Sequence, residues 1–356
     1  MFALVSAAIR TGAAEALAAE RSWELRHVRS VRDAVAAMPP QRRASVRALI
    51  VETEQVGEDL LGQLPELELI ACLRSDPVNV DLGAATARNI PVLHTPGRNA
   101  EAVADFTLGL CLAAVRSIAI SHHQIVSGEL TTSQPSAGAH APAEDVIWRP
   151  EDPQAPVPYV LFKGRELSGL VVGVVGFGWV GQAVARRFAG LVREVHVADP
   201  AVAAEVISER GYIPATLAEL LASADVVTIH ARSAATVVGR DELRRMKRGS
   251  VLINAARATV LDYDALLESL DSGHLRAAAL DVFPEEPIPG SSPLRKQRNL
   301  TLTPHLAGST ADVVSRQSEI LLAAVRGLYH SNASDSSWAL LPVRNPEVRP
   351  LWKAAG

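Results

Sequence analysis

LVVGVVGFGWVGQAVARRF, residues 170–188, reads as three pieces in succession: a buried strand, a glycine turn and the opening of a helix. The glycines Gly176, Gly178 and Gly181 stand in the order G-x-G-x-x-G. A second strand, VREVHVAD, ends on Asp199. Each part has a physical reason in a dinucleotide-binding β-α-β unit. Gly176 allows the tight turn, Gly178 lets the backbone approach a pyrophosphate, and Gly181 lets helix and strand come close. The helix N-terminus offers free N–H groups and the positive end of its dipole to phosphates. Asp199 accepts hydrogen bonds from an adenosine ribose, and its charge opposes the extra phosphate of NADP, so the pattern predicts NAD.

Outward from this stretch, short apolar runs alternate with helical periodicity. Downstream strands are predicted at 194–198, 226–230, 251–254, 277–281 and 300–302. Upstream, 2–6, 24–28, 48–51, 69–73 and 91–93 read as strands, with helices from about Gly12 and over 56–64 and 80–88. Such alternation implies parallel strands with crossover helices. A long helix is expected from Asn99 to about His122, with Val103, Phe106, Leu110 and Ala114 on one face. Between the units, residues 131–160 carry six prolines and almost no periodicity, a loop or extended insert in which Trp148 and Tyr159 could anchor to a surface. The tail from Ser331 also reads as irregular.

A chain of 356 residues suggests two domains. The net charge of −4 gives no sign of a nucleic-acid partner. Cys72 and Cys111 lie in apolar runs and read as buried free thiols, with no disulfide framework and no metal-ligand spacing. The start MFALVSAAIR lacks a basic flank and reads as a first strand rather than a leader. No uncharged apolar run is long enough to span a membrane, so a cytoplasmic location is the default expectation.

Three further segments each place charged residues just after an apolar strand: VLINAARATVLD with Arg257, AALDVFPEEPIP with Asp281 and Glu286, and LTLTPHLAGST with His305. In open α/β sheets the ligand crevice lies at the carboxyl ends of the strands, so all four are expected on the crevice that the glycine turn faces. Taken singly, each has an ordinary reading as an ion-pair, turn or capping residue. Together, in order behind a dinucleotide turn, they point to a site.

With these motifs the chain resembles the D-isomer-specific 2-hydroxyacid dehydrogenases, over about Leu64 to Pro346. The resemblance implies two Rossmann-like α/β domains with an interdomain cleft: a flavodoxin-like substrate domain of residues 1–98 and 308–356, and a doubly wound NAD-binding domain of residues 99–307. It implies reversible hydride transfer between NAD and a D-2-hydroxy acid, hinged closure on the substrate, and a homodimer formed through the NAD-binding domains. Arg257 corresponds to the arginine that grips the substrate carboxylate, work suited to a planar fork. His305 corresponds to the acid/base, Glu286 to its partner, and Asp281 to the ligand of the nicotinamide carboxamide. Trp179, Val180, His230 and Ala255 complete the expected cofactor-lining residues, to which Arg257 and His305 also belong.

The pattern departs from the family in one loop. The substrate loop usually carries two glycines whose N–H groups face the carboxylate, and here Arg74-Ser75-Asp76-Pro77-Val78-Asn79 stands in their place. Asp76 would oppose an anionic substrate at short range, and Arg74 and Arg98 could offset it or bind a second anionic group. Equally, Arg74 and Asp76 could pair only with each other. The altered loop leaves a second reading open, an NAD(H)-binding sensor or scaffold of the same fold with little turnover. The retention of Arg257, Glu286 and His305 speaks against it.

Overall fold

The structure is a computed structural model and describes residues 1–131, 157–330 and 341–348. It divides into two compact units, Met1–Asn99 with Ser309–Gly356, and Ala100–Gly308. The first unit is built on a five-stranded sheet: β1 (Phe2–Val5), β2 (Glu24–His27), β3 (Val46–Val51), β4 (Leu69–Cys72) and β5 (Val92–His94). Their order is β2-β1-β3-β4-β5 and every pairing is parallel. That is the flavodoxin-like order. Strands β1, β3 and β4 are buried on both faces, which explains their unbroken apolar runs. Leu4, Leu49 and Ile70 serve the core on one face. Ala3, Ile50 and Ala71 serve the other, against Leu321, Ala324 and Leu328 of the helix Ala311–His330.

The second unit holds seven strands: β6 (Val171–Val175), β7 (Glu194–Ala198), β8 (Ile213–Pro214), β9 (Val226–Ile229), β10 (Val251–Asn254), β11 (Ala277–Leu280) and β12 (Leu300–Leu302). The order β12-β11-β10-β9-β6-β7-β8 is parallel throughout. The chain reverses its direction of sheet growth between β6 and β9, the switch point at which doubly wound sheets bind ligands. Val172 and Val174 of β6 face one core and Val171 and Val175 the other. Cys111 and Cys72 are both free and buried, and burial pushes their thiols up to about 12 and about 11, so both are protonated and inert near neutrality.

Several sequence expectations need correction. The single long helix from Asn99 is two helices, Ala100–Val115 and Ile118–Val126, bent by 68°. Ser117 takes a left-handed conformation at the break (φ 56°), where no glycine or proline announces it. The helices expected at 56–64 and 80–88 shrink to Glu58–Gly62 and Leu82–Ala87, because Val56 and Val80 pair with each other in a parallel bridge. Of the proline-rich insert, residues 132–156, including Trp148, lie outside the described residues. Its described end is a helical turn, Pro158–Leu161, on which Tyr159 is exposed rather than anchored. The tail is not irregular throughout: Val343 bridges Leu93, and Arg344 N–H donates to the Val92 carbonyl at 2.8 Å, so this segment lines β5. Among the described residues no single helix is long and apolar enough to cross a membrane.

Candidate active site

The glycine turn leaves β6 at the switch point. Gly176 has φ +94°, and a Cβ there would lie 2.7–2.8 Å from the backbone of His230 and Ala231. A Cβ on Gly181 would lie 1.9 Å from the Gly176 carbonyl oxygen, so helix Trp179–Phe188 can start this close to the turn only without a side chain. Gly178 is different: no atom lies within 4 Å of a Cβ built there. The helix also begins on Gly178 with no side-chain cap, which leaves its first N–H groups available to an anion. Val180 is half-buried and Trp179 is 67% exposed on this first turn.

Asp199, at the end of β7, accepts from Phe177 N–H at 2.6 Å and from Ala201 N–H at 2.8 Å. Each oxygen takes one of these bonds, and a carboxylate has about four lone-pair positions, so capacity remains for a ribose diol. Open backbone over Gly178, uncapped N–H groups and a carboxylate with spare acceptors together fit a dinucleotide. His230, after β9, bonds Thr228 through Nε2 at 2.8 Å, while its buried Nδ1 has no hydrogen-bond partner among the described residues. Burial drives its pKa down to about 3, so it is neutral at pH 7. Ala255, after β10, is buried.

The second cluster lies further along the same carboxyl edge, after β10, β11 and β12. Asn254 is fully buried and shapes the turn that carries Arg257: its side chain accepts from Ala256 N–H at 3.1 Å and donates to the Arg257 carbonyl at 2.9 Å. The exposed Arg257 guanidinium donates to the Ala256 carbonyl at 2.7 Å. His305 Nδ1 lies 2.7 Å from Glu286 Oε2. A carboxylate only accepts, so Nδ1 carries the proton and Nε2 is left for other work. The other Glu286 oxygen accepts from Phe283 N–H at 2.8 Å. Burial raises the Glu286 pKa, but the bonds from His305 and Phe283 and the nearby charges of His305 and Arg257 outweigh it and hold the carboxyl below its ordinary value. Arg257, Glu286 and His305 are thus one electrostatic group.

Asp281 is fully buried, and its carboxylate accepts from Thr303 Oγ1, Leu306 N–H and Ala307 N–H at 2.6, 2.9 and 2.8 Å. Sequence reasoning missed the supporting residues Asn254, Thr303 and Tyr263. Tyr263 donates its hydroxyl to the Val282 carbonyl at 2.6 Å. The first two had a signal, a polar residue at the end of an apolar strand. Tyr263 opens a helix like many others and had none.

The remaining candidates belong to the first unit. Arg98 pairs with Glu52 at 2.8 Å and also donates to Gln317. The Ser75 hydroxyl donates to the Thr95 carbonyl at 3.3 Å, and the Ser75 carbonyl faces His94 Nδ1 at 3.0 Å. Asp76 lies 3.7 Å from Arg344, a tail residue that sequence reasoning had not connected to this loop. Arg74 is half-buried on the same loop.

The model for the NAD binding domain of D-isomer specific 2-hydroxyacid dehydrogenases matches residues 155–307. A glyoxylate reductase of Thermofilum pendens is 32% identical over 326 residues, 88% of either chain. The chain belongs to the D-isomer-specific 2-hydroxyacid dehydrogenase family. A D-3-phosphoglycerate dehydrogenase of Mycobacterium leprae is 34% identical over 281 residues, 78% of this chain and 48% of that one. A solved structure of a Thermus thermophilus protein superposes with a TM-score of 0.68 at 30% identity, covering 91% of this chain and 96% of its own. As a member of this family the chain is an NAD-dependent oxidoreductase with the two-domain Rossmann-type fold.

Proposed function

We propose that this dehydrogenase interconverts a D-2-hydroxy acid and its 2-keto acid, with residues 99–307 as the NAD-binding domain and residues 1–98 with 308–356 as the substrate domain. The observation that carries the reading is the His305–Glu286 pair at 2.7 Å, on the same sheet edge as the glycine turn. NAD supplies the hydride acceptor, and NADH the donor in reverse. His305 Nε2 takes the hydroxyl proton on oxidation and returns it to the carbonyl oxygen on reduction. Glu286 keeps the proton on Nδ1 and stabilises the imidazolium that forms. Arg257 grips the carboxylate in a fork and stabilises negative charge on the reacting oxygen. Gly176, Gly178, Trp179, Val180, Gly181, Asp199, His230 and Ala255 line the cofactor, and Asp199 selects NAD over NADP. Arg74, Ser75, Asp76 and Arg98 serve the substrate. A homodimer formed through the NAD-binding domains in the cytoplasm completes the reading.

The test is NADH oxidation by the purified protein against glyoxylate, hydroxypyruvate, pyruvate, phosphohydroxypyruvate and sugar-derived keto acids, beside an NADH-binding titration. Turnover on at least one acid is expected. A second reading, an NAD(H)-binding sensor with little turnover, is favoured by the first unit, where Arg98 is already held by Glu52 and the loop residue Asp76 faces Arg344. Tight NADH binding with no turnover on any acid would establish it instead.

A further inference from the structure

We propose that Asp281 is a positioning residue, whose buried carboxylate ties the Thr303 side chain before His305 to the backbone N–H groups after it and so sets where the imidazole stands. The inference rests on the proton-transfer role proposed above for His305. His305 has φ +54°, in the left-handed region. A residue with a Cβ is strained there, and such a conformation persists only where the surroundings impose it. Nothing in the local sequence imposes it: Pro304 precedes and Leu306 follows, and neither is a turn residue of the required kind.

Asp281 supplies the constraint. Its three bonds reach Thr303, two residues before His305, and Leu306 and Ala307, one and two residues after it. Hydrogen bonds to a carboxylate are stronger than those between neutral groups, so three of them outweigh the strain of one left-handed residue. Asp281 and Glu286 leave the same strand, β11, five residues apart. They divide the task, since Glu286 orients the ring through Nδ1 and Asp281 holds the backbone beneath it.

This differs from the carboxamide-ligand role that family resemblance suggests for Asp281. The 303–307 segment takes three of the roughly four acceptor positions of this carboxylate, which is fully buried. A direct ligand, when lost, weakens NADH binding. A clamp, when lost, leaves NADH bound and displaces the acid/base. Asp281→Asn separates the two, because an amide NH2 turned toward the Leu306 or Ala307 N–H sets donor against donor. Thr303→Val is milder, since it removes one bond and keeps the carboxylate.

The experiment measures kcat and KM on the keto-acid panel, NADH Kd by fluorescence, the pH profile of kcat/KM, and amide exchange at Leu306 and Ala307. In Asp281→Asn, kcat should fall about 10–100-fold, the usual cost of a small misplacement of a catalytic group, with NADH Kd within about threefold of the parent. Thr303→Val should follow the same pattern with a loss of about 3–10-fold. Exchange at both amides should accelerate in Asp281→Asn, and the acid limb of the pH profile should move in both variants. A variant that merely lowers the folded fraction scales the profile without moving it. Retained kcat in both variants overturns the proposal, as does an NADH Kd weakened more than about tenfold with kcat intact at saturation. Should Asp281→Asn fail to fold, Thr303→Val decides by the same readouts. A parent without turnover on any acid defeats the dehydrogenase reading instead. Amide exchange then judges the clamp alone, and unchanged protection in Asp281→Asn overturns it.

Discussion

The two edges of the seven-stranded sheet each bury an aspartate, and they neutralise it in opposite ways. Asp225 precedes β9 at the amino edge, and Asp281 follows β11 at the carboxyl edge. Both are buried. Asp225 meets full cations, Arg165 and Lys247, each at 2.7 Å, and Val171 N–H at 3.0 Å. Burial raises its pKa, but the bonds from Lys247, Val171 and Arg165 outweigh this and bring it down to about 2. Among the described residues, the donors that Asp281 meets are a hydroxyl and two backbone N–H groups. The amino edge spends charge on holding the sheet together. The carboxyl edge holds its acid with dipoles.

If that division holds, substitutions at the two edges should fail differently. The largest effect is expected at the carboxyl edge. His305→Ala should cost about 10²–10⁴ in kcat, the usual contribution of a positioned acid/base, with NADH affinity and thermal midpoint unchanged. Titration of NADH into the inactive variant checks this, and lost binding would remove the assigned role. At the amino edge, Asp225→Ala should instead destabilise by about 2–4 kcal/mol, because it orphans a buried N–H and two cations, and the cations are half-exposed and therefore partly rehydrated. Its kcat per folded molecule should match the parent. Urea titration beside active-site-normalised kinetics would show either outcome, and a kcat defect without destabilisation would break the comparison.

Acid should also separate the edges. Folded His230 stays neutral down to about pH 3, while in the unfolded chain a histidine takes up a proton near ~6.5. The unfolded state therefore binds more protons between these values, and stability falls as pH drops through that window. Asp225 has a depressed pKa of about 2 against an unfolded value near ~3.9, so its contribution is present above that range and lost only as pH falls toward 2. Denaturation midpoints over pH 7 to 2 should decline from about 6.5 and steepen below about 3.9, the upper decline flattening in His230→Gln and the added steepening disappearing in Asp225→Ala. An unchanged upper decline in His230→Gln would mean that this imidazole is hydrated in solution.

How much of this was legible in the sequence follows the range of the forces involved. Strands such as Val171–Val175 are apolar on both faces because parallel sheets are covered twice, and local composition reports that. Glycine spacing reports backbone geometry equally locally, so the turn and its partner Asp199 were readable. The Ser117 break was not, since nothing in the residues around it marks the change of direction. The bridge between Val56 and Val80 and the approach of Arg344 to Asp76 join residues far apart in sequence, and no periodicity records such meetings. His305 and Glu286 were legible as a family motif. The left-handed backbone of His305 was not, because its cause is a carboxylate on a neighbouring strand.

The smallest expected effect concerns selectivity rather than rate. Asp199 ties the turn through Phe177 N–H and also carries the charge that opposes a 2′-phosphate. Asp199→Ala should therefore lose NADH affinity and gain relative acceptance of NADPH, changing the ratio of the two kcat/KM values by about 10-fold, or roughly 1.4 kcal/mol. Asp199→Asn keeps an acceptor for the Phe177 N–H and removes the charge, so it isolates the electrostatic part. If both variants shift the ratio alike, charge repulsion decides selectivity. If only Asp199→Ala shifts it, the carboxylate acts chiefly by shaping the turn, and the carboxyl edge would then use Asp199 as it uses Asp281, to hold backbone.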